Sequence, residues 1–222
     1  MNDPAPRYVV AVDVGQANDY TAVAILQSYR IREAVDHKVR EDRRHDLVHL
    51  ERFRDISYPE QVRRLTERYR EVERIAKVEH REASVQLVVD ATGVGKPVLD
   101  LMREAKLRPR GVIITGGETA SHTDGISRVP KRELVTTLQV ALQTRRLVVA
   151  EDLPLAETFL KEMRGFRVKI SLTGHASFGN DVGAWREADH DDLVLAVALG
   201  VWKLEGPKVA SRSYLKAAMG FA

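Results

Sequence analysis

The sequence predicts an α/β protein with a mixed central sheet, antiparallel in its first three strands and parallel thereafter, flanked by helices. Three observations lead there. Two runs rich in β-branched residues, 8–14 and 21–26, are separated by Gly15-Gln16-Ala17-Asn18-Asp19-Tyr20, a turn composition that predicts a hairpin. From Val85 onward, short apolar runs alternate with stretches of helical spacing, the pattern of βαβ units. Residues 193–202 are apolar on every side, so a helix there is buried along its whole length.

Taken in order, residues 30–46 follow the first hairpin and are crowded with charged side chains, which fits either a solvated connection or the exposed tip of a long hairpin. A third strand is expected at 47–53. Tyr58-Pro59 opens a helix, because proline is favoured at the first helical position and Val62, Leu65, Tyr69, Val72, Ile75 and Ala76 recur at helical spacing. A strand at 85–89, a helix at 97–106 with Val98, Leu101, Met102 and Ala105 on one face, and a strand at 111–114 make the first βαβ unit. The Gly/Ser/Thr-rich stretch 115–129 reads as a long loop and a candidate binding loop. Beyond Pro130 come a helix with Leu134, Val135, Leu138, Ala141 and Leu142 inward, a strand at 147–149, a helix near 154–164, a strand near 166–172, a Gly-rich loop and the buried helix.

With 222 residues, 44% of them hydrophobic and 30% charged, the chain can bury a core of its own. One domain is expected over 1–206, followed by a basic and flexible tail, 207–222, with Lys208, Arg212 and Lys216 and no acid. The 35 basic against 32 acidic side chains leave a net charge of +3, compatible with a polyanionic partner. No cysteine is present, which removes disulfides and thiolate metal sites and suits an intracellular setting. Residues 1–6 lack the pattern of a signal peptide, and the apolar run at 193–202 is too short to cross a bilayer, so no membrane role is expected.

The chemistry concentrates in four acids. Asp13 closes the first strand, Asp90 closes the strand at 85–89, and Asp191 and Asp192 open the buried helix. Each has a local reading: a strand-end aspartate forms turns, and a helix-start aspartate caps. One cap does not need two acids, however, and a shared cation accounts for all four at once. Oxygen-only ligands favour Mg²⁺ or Mn²⁺ over zinc. A hard cation held by such acids points to a metal-dependent site that cuts phosphodiesters. His190 orients water, protonates the leaving oxygen or bonds locally, and Asp19 is either an outer acid or a turn residue.

Asp13-Val14-Gly15 with Asp19-Tyr20-Thr21-Ala22, Val88-Val89-Asp90-Ala91-Thr92-Gly93-Val94-Gly95 and His190-Asp191-Asp192-Leu193 together resemble the nuclease domain of the large terminase subunit of tailed bacteriophages. The resemblance spans 8–204. It implies an RNase H-like fold and a two-metal endonuclease that cuts concatemeric viral DNA during packaging, with Asp13, Asp90, Asp191 and Asp192 as ligands. It also implies double-stranded DNA, a packaging ATPase domain, a portal and a small terminase subunit as partners, in the cytoplasm of a bacterial host.

Lys96, Arg128, Lys131, Arg132 and Arg186 lie beside these motifs and are the candidate phosphate contacts. Thr92-Gly93-Val94-Gly95-Lys96-Pro97 is not a Walker A loop, since Pro97 stands where Ser or Thr would hold Mg²⁺. Other RNase H-like nucleases, such as a Holliday-junction resolvase or an RNA–DNA hybrid nuclease, would share the acids, and a non-catalytic DNA-binding module is the plainest alternative. A sugar-kinase or actin-like ATPase would need two phosphate-cradling halves, for which the chain is too short.

Overall fold

The computed structural model describes residues 5–15, 19–35, 38–123, 125–150, 152–165, 169–170, 176–177 and 191–206. The strands are β1 (Arg7–Asp13), β2 (Thr21–Val35), β3 (Lys38–Phe53), β4 (Ser84–Asp90), β5 (Pro109–Thr115), β6 (Ser121–Thr123), β7 (Ile126–Pro130), β8 (Leu147–Val149), β9 (Lys169–Ile170) and β10 (Ala176–Ser177). The helices are α1 (Tyr58–Glu79), α2 (Gly95–Glu104), α3 (Lys131–Gln143), α4 (Ala156–Gly165) and α5 (Asp192–Glu205). Eight strands form one sheet in the order β6-β7-β5-β4-β1-β2-β3-β8, and β9 pairs with β10 apart from it. The β1–β2 and β2–β3 pairs are antiparallel, as is β6–β7, whereas β1–β4, β4–β5, β5–β7 and β3–β8 are parallel. The mixed sheet read from the sequence is therefore present.

Strand β1 shows why this sheet needs helices on both sides. Val9 and Ala11 point into a core shared with α3, α4 and α5, while Tyr8, Val10 and Val12 point into a second core with α1 and α2. Period-two alternation with both faces apolar leaves no side for water. Helix α5 lies across β1 and β2, and from Leu193 to Trp202 only Leu195 is not fully buried. At Gly200 a Cβ would collide with Leu26 Cδ1 and approach Ala11 Cβ to 3.3 Å, so glycine lets the helix axis sit close to the sheet.

One stretch differs from the sequence reading, and a second resolves into one of the two forms expected of it. Residues 115–129 are not one open loop, because β6 and β7 form within them and extend the sheet edge. Short strands with little apolar content leave a weak pattern, and His122 paired opposite Ser127 is fixed by the ladder rather than by burial. Residues 30–46 belong to a long hairpin: the β2–β3 ladder runs from Thr21↔Phe53 to Val35↔Lys38, well past Ser28, where β1 ends. Without β1 beside it the outer ladder has no core to face, which explains its charged side chains. Residues 207–222, expected as a flexible tail, lie outside the described residues.

The carboxyl end of α5 is clamped. Arg7 Nη2 donates to Leu204 O at 2.7 Å, Arg43 Nη1 to the same oxygen at 3.4 Å, and Glu205 Oε1 meets His45 Nε2 at 3.0 Å and Arg146 Nη1. The Arg7, Arg43 and Arg146 guanidinium groups sit where the helix dipole favours cations. His45 and then Arg146 hold the Glu205 carboxyl down at about 2. A carboxyl lowered in the folded state adds stability above its unfolded value, near 4.3, and that stability disappears as pH falls toward 2. Glu205→Gln is expected to melt below wild type at pH 7 and to lose less of its melting temperature between pH 5 and 2.5, followed by circular dichroism. Parallel curves for the two proteins would refute the clamp's contribution.

Candidate active site

One row of the sheet carries the chemistry. Across β3, β2, β1, β4 and β5 the register aligns Arg52, Ala22, Asp13, Asp90 and Val112. Residues directly opposite each other share a face, and Ala22 and Val112 lie in the core beneath α5. Asp13 and Asp90 are thus side by side at the carboxyl ends of two parallel strands, on the side to which α5 brings Asp191 and Asp192. Ligand sites of open parallel sheets commonly form at that end.

Each acid is held by its local sequence. Asp90 is buried, and its Oδ1 accepts from Thr92 N at 2.8 Å and from Thr92 Oγ1, which in turn accepts from Ile114 N at 2.7 Å. Asp13 ends β1 just before a tight return. Gly15 N donates to Thr21 Oγ1 at 3.0 Å, and Thr21 Oγ1 donates to Gln61 Oε1 at 2.8 Å. A Cβ at Gly15 would strike the Asp19 and Tyr20 backbone, so the Asp-Val-Gly order follows from steric need.

Helix α5 starts in an unusual way. Asp191 is its N-cap residue, yet its side chain makes no capping bond and its Oδ2 accepts from Lys131 Nζ at 3.0 Å. The capping is done by Glu162 of α4, whose Oε2 accepts from Leu193 N at 3.1 Å and Val194 N at 3.4 Å. The local reading of Asp191 as a cap therefore does not hold. Asp192 Oδ2 is shielded from solvent.

The electrostatics follow from this crowding. Asp13 keeps a partly open surface at the strand end, yet the protein around it removes enough water to push its carboxyl well above the usual range; Asp90, Asp192 and Asp191 push further, and Lys131 opposes them. Asp90 is likewise raised, first by desolvation, with the Thr92 bonds and Lys131 acting against it. Glu162 rises to about 7, chiefly through burial and partly through Asp192, against the pull of its backbone donors and Arg52.

Lys131 was expected at the DNA but is bonded inside the acid group, at the first residue of α3. Lys96, Arg128 and Arg132 are exposed, on the first turn of α2, on β7 and on the first turn of α3. His190 and Arg186 lie outside the described residues, and Asp19 is exposed on the β1–β2 connection. Glu162 was missed. Its signal was an acid three residues after Phe159 on the inward side of α4, legible only with the partner helix known.

Among the described residues no three acidic or histidine side chains are already closed into a metal cage. The donor set is nevertheless one that hard divalent ions take: four carboxylates, of which Asp13 is driven toward protonation by burial and by the neighbouring acids and Asp90 by burial.

The sheet order, the antiparallel first three strands and the acids on β1, β4 and α5 define an RNase H-like domain. Among solved structures its fold is similar to that of terminase nuclease domains. The human cytomegalovirus terminase nuclease domain soaked with Mn is 13% identical, with a TM-score of 0.51, over 92% of this chain and 86% of that one. A second structure of the human cytomegalovirus terminase nuclease domain gives 13% and 0.50 over 93% and 86%. The large terminase nuclease of the thermophilic phage G20c gives 18% and 0.49 over 89% and 82%. No family model and no curated protein matches the sequence.

A raised carboxyl favours the folded state below its unfolded value and loses that contribution as pH climbs through its folded value. In metal-free buffer the cluster therefore weakens the protein from about pH 4 upward. Asp13→Asn is expected to melt a few degrees above wild type at pH 7.5 without metal, at about 2–4 °C per kcal/mol for a domain of this size, and to converge with it near pH 4. A lower melting temperature for Asp13→Asn at pH 7.5 would contradict the assigned repulsion.

Proposed function

We propose that this chain is a metal-dependent endonuclease that hydrolyses phosphodiester bonds of double-stranded DNA and cuts concatemeric viral genomes during packaging. The observation that carries this reading is the in-register pair Asp13↔Asp90 facing the aspartates that open α5. Asp13, Asp90, Asp191 and Asp192 would hold Mg²⁺ or Mn²⁺. Two such ions, when bound, supply an activated water and charge neutralisation at the leaving oxygen.

The protein's own groups do the rest. Thr92 fixes the orientation of the Asp90 carboxylate. The Gly15–Thr21–Gln61 chain of hydrogen bonds holds the turn that follows Asp13. Lys131 places a positive charge against Asp191, reducing the repulsion the four acids impose on one another. Exposed Lys96, Arg128 and Arg132 lie on elements that run to the same end of the sheet, and their role is to contact phosphates and set the duplex across the acids without reading bases. On this reading the chain works in the host cytoplasm beside a packaging ATPase domain, a portal and a small terminase subunit.

Supercoiled plasmid should be nicked and linearised with Mg²⁺ or Mn²⁺ and spared in EDTA, with Asp13→Asn and Asp90→Asn at least about a hundredfold slower. Undiminished cutting by either variant, or cutting in EDTA, would end the proposal. Duplex is expected to compete better than a four-way junction; the reverse order identifies a resolvase. Lys96→Ala with Arg132→Ala should raise KM for DNA and flatten its salt dependence by roughly 0.9 per lost phosphate contact, with kcat nearly unchanged. A kcat loss at constant KM would remove these side chains from the DNA path.

A further inference from the structure

We propose that Glu162 is a positioning residue of this site: it fixes the amino end of α5 and so aims Asp191 and Asp192 at Asp13 and Asp90. The inference deepens the nuclease reading and rests on it.

A helix leaves its first backbone N–H groups without intrahelical acceptors, and a side chain at the N-cap normally accepts from the second and third residues. In α5 those residues are Leu193 and Val194, and the acceptor of both is Glu162 Oε2. Capping from another helix releases the N-cap side chain, and Asp191 uses that release to meet Lys131. Had Asp191 capped its own helix, its carboxylate would be turned to the α5 amides and away from Lys131.

The other oxygen of Glu162 anchors the helix end to the sheet. Arg52 Nη1 stands 3.3 Å from Glu162 Oε1, and Arg52 occupies the same cross-strand row as Asp13. The Arg52 guanidinium also lies 4.5 Å from the ring centre of Tyr20, on the connection that follows Asp13. One carboxylate thus ties α4, α5 and β3 around the acids.

Burial argues that this arrangement was not cheap. Glu162 is only 6% exposed and lies near enough to Asp192 to feel its charge, a placement that neither burial nor charge favours for a carboxyl. A buried carboxylate is tolerable when its oxygens meet donors, and here two amides and a guanidinium supply them. What the residue contributes in return is geometry.

The test follows Mn²⁺ binding by the metal-induced rise in melting temperature, for the full chain as wild type, Glu162→Ala, Glu162→Gln and Asp13→Asn, with plasmid nicking at varied Mn²⁺ alongside. Loss of a group that orients ligands typically weakens metal affinity about 10–100-fold. Glu162→Ala is therefore expected to raise the Mn²⁺ midpoint at least about tenfold in both readouts while KM for DNA stays unchanged. Glu162→Gln keeps an oxygen for the two amides and should hold the midpoint closer to wild type. Should Glu162→Ala fail to fold, Glu162→Asp takes its place, since it keeps the charge but shortens the reach by one methylene. A variant that melts lower yet binds Mn²⁺ with the wild-type midpoint overturns the positioning role and leaves the nuclease reading standing. Absence of any Mn²⁺ response in wild type, matched by Asp13→Asn, removes the metal site and the proposal together.

Discussion

Four carboxylates can share one end of a sheet only where something stiffer than their repulsion keeps them there, and in this chain that element is α5. Its apolar length is packed between α3 and the β1–β2 pair, and Gly200 lets it lie close against Leu26 and Ala11. Burial of that many aliphatic side chains, each contributing roughly 1.5–3 kcal/mol, outweighs the like-charge cost at one tip. The helix is also held at both ends, by Glu162 at the start and by Arg7, Arg43, His45 and Arg146 at the finish. Tension between the acids is therefore borne by the helix and its fastenings rather than released by fraying.

Charge is handled differently elsewhere. Along α1, Arg63 pairs with Glu60 and Glu67 on exposed surface, and the half-buried Arg68 pairs with exposed Glu71. Such pairs contribute little to stability and present no net positive stripe to a polyanion. The cations near the acids divide in two: Lys131 is engaged with Asp191, whereas Lys96, Arg128 and Arg132 face solvent. Local neutralisation and outward attraction are thus assigned to separate side chains.

Much of this was legible beforehand because the relevant signals are local. The turn between β1 and β2, the proline at the start of α1 and the unbroken apolar run of α5 each announce their element, and acids at strand or helix ends stand out against such runs. Other features depend on contacts between distant segments. Glu162 looks like any helical glutamate until α5 is laid against α4, and Lys131 looks like a surface lysine until α3 and α5 converge. Strands β6 and β7 are paired by their ladder rather than by apolar patterning, so their sequence reads as loop. The charged outer part of the β2–β3 hairpin lacks a core-facing side, and its periodicity is correspondingly faint.

The pairing of Asp13 with Asp90 also bears on when the acids can come together during the life of the chain. A slip of one residue between β1 and β4 would turn one of the two carboxylates to the opposite face, because side chains alternate along a strand. The last acids arrive with α5, which follows every strand of the eight-stranded sheet in the chain, so a nascent chain lacks them until that sheet has been synthesised. The four acids are therefore together only once β1, β4 and α5 are all in place, and truncated or misregistered molecules lack the complete cluster by construction of the sheet itself.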